Sequence, residues 1–373
     1  MDQCALQDEF PITRNYAFFN NAGVAPLPRV AVNALAEYAA DSSQHGWVDR
    51  PKWMEKTSSA KALVAAKIGC DVAEIAFCAN TTTGISFVAN GIDWRPGDNV
   101  VLANVEYPAN VYPWWAQEQR GARLKFVSPA NGRLRLEDYL AAIDDRTRAV
   151  AVSHVQFAAG FRMDLDALGK FCEERGIMLV VDDIQSLGVF PIDVRASRVS
   201  ALACGVHKWL LSPLGLAIFY CRKDLCEKLT VWSPGADSVV RGPDYLDYSM
   251  KLREGAGRFE NGALNLASIY ALEAVLRMMN DLGADAIEKR VKDLTDRLCA
   301  GLAERGCDVF SPRGAGEWSG IVVFTHKQHS PAQIVDALKR QGVITLVREG
   351  RVRVSPHFYN SAEEIDRLLR ALP

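Results

Sequence analysis

The sequence predicts an α/β architecture, a mostly parallel central sheet with helices on both faces plus a smaller C-terminal α+β domain. Three observations predict it. Short apolar runs alternate with amphipathic ones over the first two thirds of the chain, and strands covered on both faces by crossover helices read as continuous apolar runs. After about Gly257 the texture changes to longer helices and strands with antiparallel potential. The length of 373 residues suits one large domain with a smaller partner.

Helical periodicity covers residues 29–43, just after Pro28, and 53–68. Apolar strands follow at 74–78, 99–103, 124–127, 149–153, 178–181, 201–204 and 216–220. Helical stretches at 82–91, 109–119, 136–143 and 165–174 separate several of them. Beyond the Gly-rich stretch 254–262, helices are predicted at 266–282, 284–304, 331–340 and 362–372. Strands are predicted near 309, 320–325, 343–347 and 351–355. The resulting division is an N-terminal segment 1–28, expected to pack on the small domain, a large domain 29–257 and a small domain 258–373.

Charge and cysteine usage narrow the function. Forty-three Lys+Arg against 45 Asp+Glu leave a net charge of −2, without the basic excess of a nucleic-acid binder or a polybasic membrane patch. The first eleven residues lack the positive and apolar regions of a signal peptide, and no apolar run approaches the ~18 residues of a spanning helix. The nine cysteines follow neither a disulfide framework nor metal-ligand spacing. The expectation is a cytoplasmic, reduced, enzyme-sized protein with no metal, no nucleic acid and no membrane.

The most informative stretch runs from Ile177 to Tyr220. Asp182 and Asp183 end a strongly apolar strand, the edge where parallel sheets bind ligands. Gln185 follows three positions after Asp182, and His207-Lys208 follow the next strand. Lys208 is flanked by Trp209, Leu210 and Leu211. Burial disfavours an ammonium ion, which makes a lysine amine suited to Schiff-base chemistry. A carboxylate on a neighbouring strand end suits a pyridinium N–H. Upstream, Thr81, Thr82 and Thr83 open a helix after a strand, offering hydroxyls and free N–H groups to a phosphate. Arg351 and Arg353 alternate onto one face of a strand.

These motifs resemble the pyridoxal-phosphate (PLP) core of the class V aminotransferase superfamily, fold type I, which includes cysteine desulfurases, selenocysteine lyases, kynureninases and isopenicillin N epimerase-like proteins. The resemblance extends from Phe18-Phe19-Asn20-Asn21-Ala22-Gly23 to residues 353–360. It implies that Lys208 forms the Schiff base, Asp182 pairs with the pyridine nitrogen, Gln185 bonds the ring hydroxyl and His207 reaches the phosphate. Thr81 and Thr82 become phosphate ligands and Tyr107 stacks on the ring. Arg353 holds the substrate α-carboxylate, with Arg348 a second candidate, and Asn21, Ala22 and Gly23 line the pocket. It also implies a homodimer with shared active sites, the Gly255–Asn265 stretch reaching the partner's site.

Departures from the family pattern direct the reading further. Gly205, Ala263 and Phe157 stand where the family has a serine, a threonine and an asparagine, and Thr83 and Asn261 are candidate replacements in the phosphate cup. The run His154 to Leu165 matches the isopenicillin N epimerase-like form. The stretch 344–351 has no cysteine, which suggests that the enzyme is not a persulfide-forming cysteine desulfurase. The expected function is Cα-proton abstraction from a small amino acid bound to PLP, in an aminotransferase first, a β-eliminating C–S lyase or epimerase second, and a non-catalytic binding protein of this fold last. Trp47, Trp53, Trp114 and Tyr245 are candidates for shaping a pocket for a bulky side chain.

Overall fold

The computed structural model describes residues 3–373 apart from 241, 243 and 245. Its large sheet has seven strands in the order Ile75–Cys78, Ala217–Cys221, Ala201–Gly205, Met178–Asp182, Thr147–Ser153, Asn99–Ala103 and Arg123–Val127. Every pairing from Ala201–Gly205 to Arg123–Val127 is parallel; Ala217–Cys221 runs antiparallel to both of its neighbours. The expected strands are therefore present, and the mostly parallel sheet has one reversed member.

Strand alternation feeds two cores. Val101, Val150, Val152, Leu179 and Val181 point into one, filled by the helix Arg50–Ile68, the helix Leu165–Glu174 and the helix Leu266–Leu282. Ala149, Ala151, Ala201 and Ala203 point into the other, with Ile85, Val88 and Ala89 of the helix Thr81–Gly91. The small side chains on that second face let this helix approach closely. A Cβ on Gly84 would stand 2.8 Å from the Ala203 Cβ. This contact brings the start of the helix up to the carboxyl edge of the sheet, where Asp182 and Gly205 end their strands.

The C-terminal region builds a four-stranded antiparallel sheet in the order Leu346–Arg348, Arg351–Val354, Val322–His326 and Cys307–Val309. The single strand expected at 343–347 is split. Val343–Ile344 pairs in parallel with Ala17–Phe18, while Leu346–Arg348 pairs with Arg351–Val354. The N-terminal segment is thereby stitched to the small sheet, and a bridge from Asn20 to Ser355 continues the seam.

The helix expected at 109–119 is also broken, into the turn Pro108–Asn110, the short helix Tyr112–Trp115 and the 3-10 turn Ala116–Arg120. Pro113 lacks an N–H and is tolerated only in a first helical turn, so the helix restarts around it. Among the described residues no helix is long and apolar enough to cross a membrane.

Candidate active site

Lys208 sits in a buried loop after the strand Ala201–Gly205 and is 8% exposed. Its Nζ lies 5.5 Å from the centroid of the Tyr107 ring. The next residue fixes its place. The Trp209 indole N–H donates to Gln185 Oε1 at 2.9 Å, and the Trp209 carbonyl accepts from His357 Nε2 at 3.0 Å. Gly188, at φ +115°, makes room for that carbonyl, since a Cβ there would stand 2.3 Å from it.

Asp182 closes its strand between Ser153 and Ala203 and is 2% exposed. Its carboxylate accepts the Ile184 N–H at 3.1 Å. Burial pushes the Asp182 pKa up, and the nearby Glu106 carboxylate adds to the push. Burial moves Lys208 the opposite way; Asp182 resists that shift, and the charges of Arg353 and Arg348 reinforce it. Each group is thus drawn toward its neutral form.

Asn80, missed in the sequence, caps the helix Thr81–Gly91 by accepting the Thr83 N–H at 2.9 Å. Thr81 is buried, and its Oγ1 accepts the Gly205 N–H at 3.0 Å. A Cβ on Gly205 would lie 3.2 Å from that Oγ1 and 2.9 Å from Ile184 Cδ1, so the glycine fits a crowded position. Thr82 is exposed. Thr82, Thr83 and Asn261 share the lining of a cavity of about 240 Å³; Ala263 is exposed. His207 is half-buried, and burial together with Lys208 pulls its pKa down to about 4.

Gln185 is engaged at both ends of its amide, donating to the Ala22 carbonyl at 3.1 Å and accepting from Trp209. One amide hydrogen remains for a ligand. Asn21 is likewise consumed internally. It donates to the Ser355 carbonyl at 2.8 Å and accepts from the Tyr359 hydroxyl at 2.8 Å. The residue before it faces the site: Asn20 Oδ1 accepts from Arg353 Nη2 at 3.4 Å. Adjacent residues of an extended segment point to opposite sides, which is the signal that distinguishes the two asparagines.

Arg353 is 2% exposed, and burial with the Arg348 charge lowers its pKa to about 10. Its Nη1 donates to the Phe157 carbonyl at 3.3 Å, while its Nε has no partner. Phe157 meets Tyr107 edge-on, with centroids 5.2 Å apart. Tyr107 is 43% exposed and presents a ring face toward Lys208.

Glu106 went unassigned in the sequence and is the most heavily hydrogen-bonded carboxylate here. It accepts from the Ser153 N–H at 3.1 Å, the Ser153 hydroxyl, Asn110 Nδ2 at 3.1 Å and Gln156 Nε2 at 2.6 Å. Of the tryptophans proposed for the pocket, Trp53 and Trp114 are core residues and Trp47 is exposed. Tyr245 lies outside the described residues.

These residues fit PLP. Asp182 is a buried acid with a backbone donor and capacity for a cationic N–H, Lys208 is a buried amine, and Tyr107 is an aromatic wall. A helix N-terminus stands beside them, and a buried guanidinium keeps an orphaned nitrogen above them.

A family model described as aminotransferase class-V matches residues 17–368. The chain belongs to this family. Its cofactor is PLP. A probable cysteine desulfurase of Pyrococcus abyssi is 29% identical over 98% of the chain and 96% of its own length. The cysteine desulfurase of Thermococcus onnurineus superposes with a TM-score of 0.90 at 27% identity, covering 98% of this chain and 96% of that one. The cystine C–S lyase C-DES shares the fold at 23% identity and TM-score 0.91, covering 98% of each chain. A mutant of it has been seen with glycine linked covalently to its PLP.

The comparisons correct one expectation. Excluding a persulfide-forming cysteine desulfurase is overturned by relatives of that name aligned along almost the whole chain. The exclusion rested on one absent thiol in the stretch 344–351. The positions of Lys208, Asp182 and Arg353 are independent of where an acceptor thiol stands. In C-DES, cysteine persulfide is a reaction product.

Proposed function

We propose that the chain is a PLP-dependent C–S lyase acting on a cysteine-type L-amino acid. The carrying observation is a buried Lys208 within electrostatic reach of both the buried Asp182 and the partly unsatisfied Arg353 guanidinium. The desulfurase names of relatives support cleavage at sulfur over transamination.

When bound, PLP supplies an electron sink for charge developing at the amino-acid α carbon. The residues that would hold it are Asp182 at the pyridine nitrogen, Gln185 through its free amide hydrogen, and Tyr107 at the ring face. Thr81, Thr82 and His207 would hold its phosphate. The Lys208 amine, kept toward its neutral form by burial, takes the proton from Cα. Arg353 forks onto the α-carboxylate, and its contacts to Phe157 and Asn20 set the orientation. Asn21 and Ala22 act as the scaffold of that pocket wall through Ser355 and Gln185.

The test mixes the holoenzyme with a panel of L-amino acids and cysteine conjugates, following pyruvate or alanine, released sulfur and the cofactor amine separately. Keto acid or alanine accompanied by sulfur release is expected. Accumulation of cofactor amine without sulfur release would overturn the reading in favour of a transaminase.

The same reading includes a homodimer in the cytoplasm. A lone chain exposes Tyr112, Trp115, Trp232, Leu246, Tyr248 and Met250, each more than half accessible, a burden that association relieves. The eight described cysteines are all free, as in a reducing compartment. Active holoenzyme sedimenting as a monomer would overturn the dimer.

A further inference from the structure

We infer that the substrate carries a second anionic group at the end of its side chain and that Arg348 is the residue that reads it. The inference rests on the reading of this site as one for an amino acid.

In the hairpin, Arg348 lies directly across from Arg351, and Leu346 directly across from Arg353. Opposed residues and residues two apart share a face, so three guanidiniums project from one side of this sheet. Cations set side by side across a strand pair repel and cost stability. No carboxylate lies within ion-pair reach of any of the three among the described residues. Arg353 reaches only the Phe157 carbonyl and the Asn20 amide, both at the long end of hydrogen-bond range. Arg351 donates to the Glu349 carbonyl and lies over the Phe310 ring, 3.7 Å from its centroid.

Arg348 is half-buried, and its Nε is closed off from water without a partner, as is the Nε of Arg353. A guanidinium that merely reached for solvent would not leave that nitrogen sealed. Arg348 also stands near enough to Lys208 and Arg353 for its charge to depress the pKa of both. A tight hairpin sets its backbone position. The strands are joined by the two-residue turn Glu349-Gly350, with φ of +46° and +72°, the left-handed pair that closes a tight hairpin.

One fork satisfies an α-carboxylate. A second, half-buried guanidinium on the same face of the hairpin, with a sealed, unspent Nε and no countercharge among the described residues, fits a second anion. The substrate class is therefore a cysteine-type L-amino acid whose side chain ends in an anion, a sulfinate, a sulfonate or a carboxylate carried on the sulfur, with L-aspartate a binding probe for the carboxylate case.

The test measures equilibrium binding to the holoenzyme by calorimetry for L-aspartate and L-cysteine sulfinate against L-asparagine and L-alanine. One or both anionic ligands should bind at least about tenfold more tightly than the neutral pair, and comparing the two separates carboxylate from sulfinate recognition. R348Q should erase that preference and R348K should keep part of it. Equal affinity for anionic and neutral ligands, or an R348Q loss equal across all four, would overturn the inference. If no amino acid binds or perturbs the visible spectrum of the holoenzyme, the underlying reading fails and the inference with it.

Discussion

At the edge of the large sheet, the polar groups are mostly spent inside the chain, whereas on the arginine hairpin key nitrogens are left over. Thr81 is tied to Gly205, Gln185 to Ala22 and Trp209, and Glu106 to four donors. Arg348 and Arg353 each keep a buried Nε with no partner. The first region is preorganised by the chain itself, as suits a group that stays bound through turnover. The second holds unspent capacity for a ligand that arrives and leaves.

The largest effect should come from removing the amine where the two regions meet. K208A is expected to lose activity by about 10³-fold or more, since it deletes the group proposed to move the proton. The holoenzyme spectrum should change as well, because the Schiff base cannot form. Retained turnover together with an unchanged spectrum would break the assignment of the sheet edge as the reacting side.

Next in size is the hairpin. R353Q should lower kcat/KM by about 10²-fold, the loss of charged hydrogen bonds to a carboxylate. R353K should recover only part of it, because an ammonium cannot fork. Full recovery by lysine would mean that Arg353 supplies charge alone and that the leftover nitrogen has no role.

The two regions also differed in how far the sequence revealed them. Apolar strands ending in Asp182 and preceding Lys208 mark the sheet edge because strand ends and buried ionisable groups are local signals. The hairpin arginines were visible by alternation. What escaped depends on long-range pairing. Asn20 rather than Asn21 meets Arg353 because of a register set against Ser355, over three hundred residues away. Glu106 gained its role only when Ser153 and Gln156 were brought to it across the sheet. The missing cysteine in the hairpin was legible and still misled, because it spoke to where sulfur goes and not to the chemistry at Cα.

Between these regions His357 ties the small domain to Trp209, and it offers a pH test. Its Nδ1 accepts the Phe358 N–H at 2.8 Å and its Nε2 donates to the Trp209 carbonyl, so the ring is bonded as a neutral imidazole. Burial pulls its pKa down to about 4 from the usual 6.5. Below pH 6.5 the unfolded chain takes up a proton that the folded chain refuses until about pH 4. Stability should therefore fall across that window, by up to about 3 kcal/mol from this group. Denaturation at a series of pH values should give a shallower slope for H357Q than for the wild type. Identical slopes would mean that burial does not keep His357 neutral across that window.

The smallest effect sharpens the contrast from the sheet side. Glu106 accepts from four donors, and the Ser153 N–H among them cannot be turned around. If Glu106 is ionised, E106Q directs an amide N–H at Asn110, whose own oxygen is already taken by Trp114 at 3.2 Å. The expected cost is about 1–3 kcal/mol, read as a lowered denaturant midpoint. Burial pushes the Glu106 pKa upward against those donors, so an unchanged midpoint would show a protonated acid that glutamine imitates. The upward shift of Asp182 would then come from its burial and from Asp183, with no charge on Glu106 behind it.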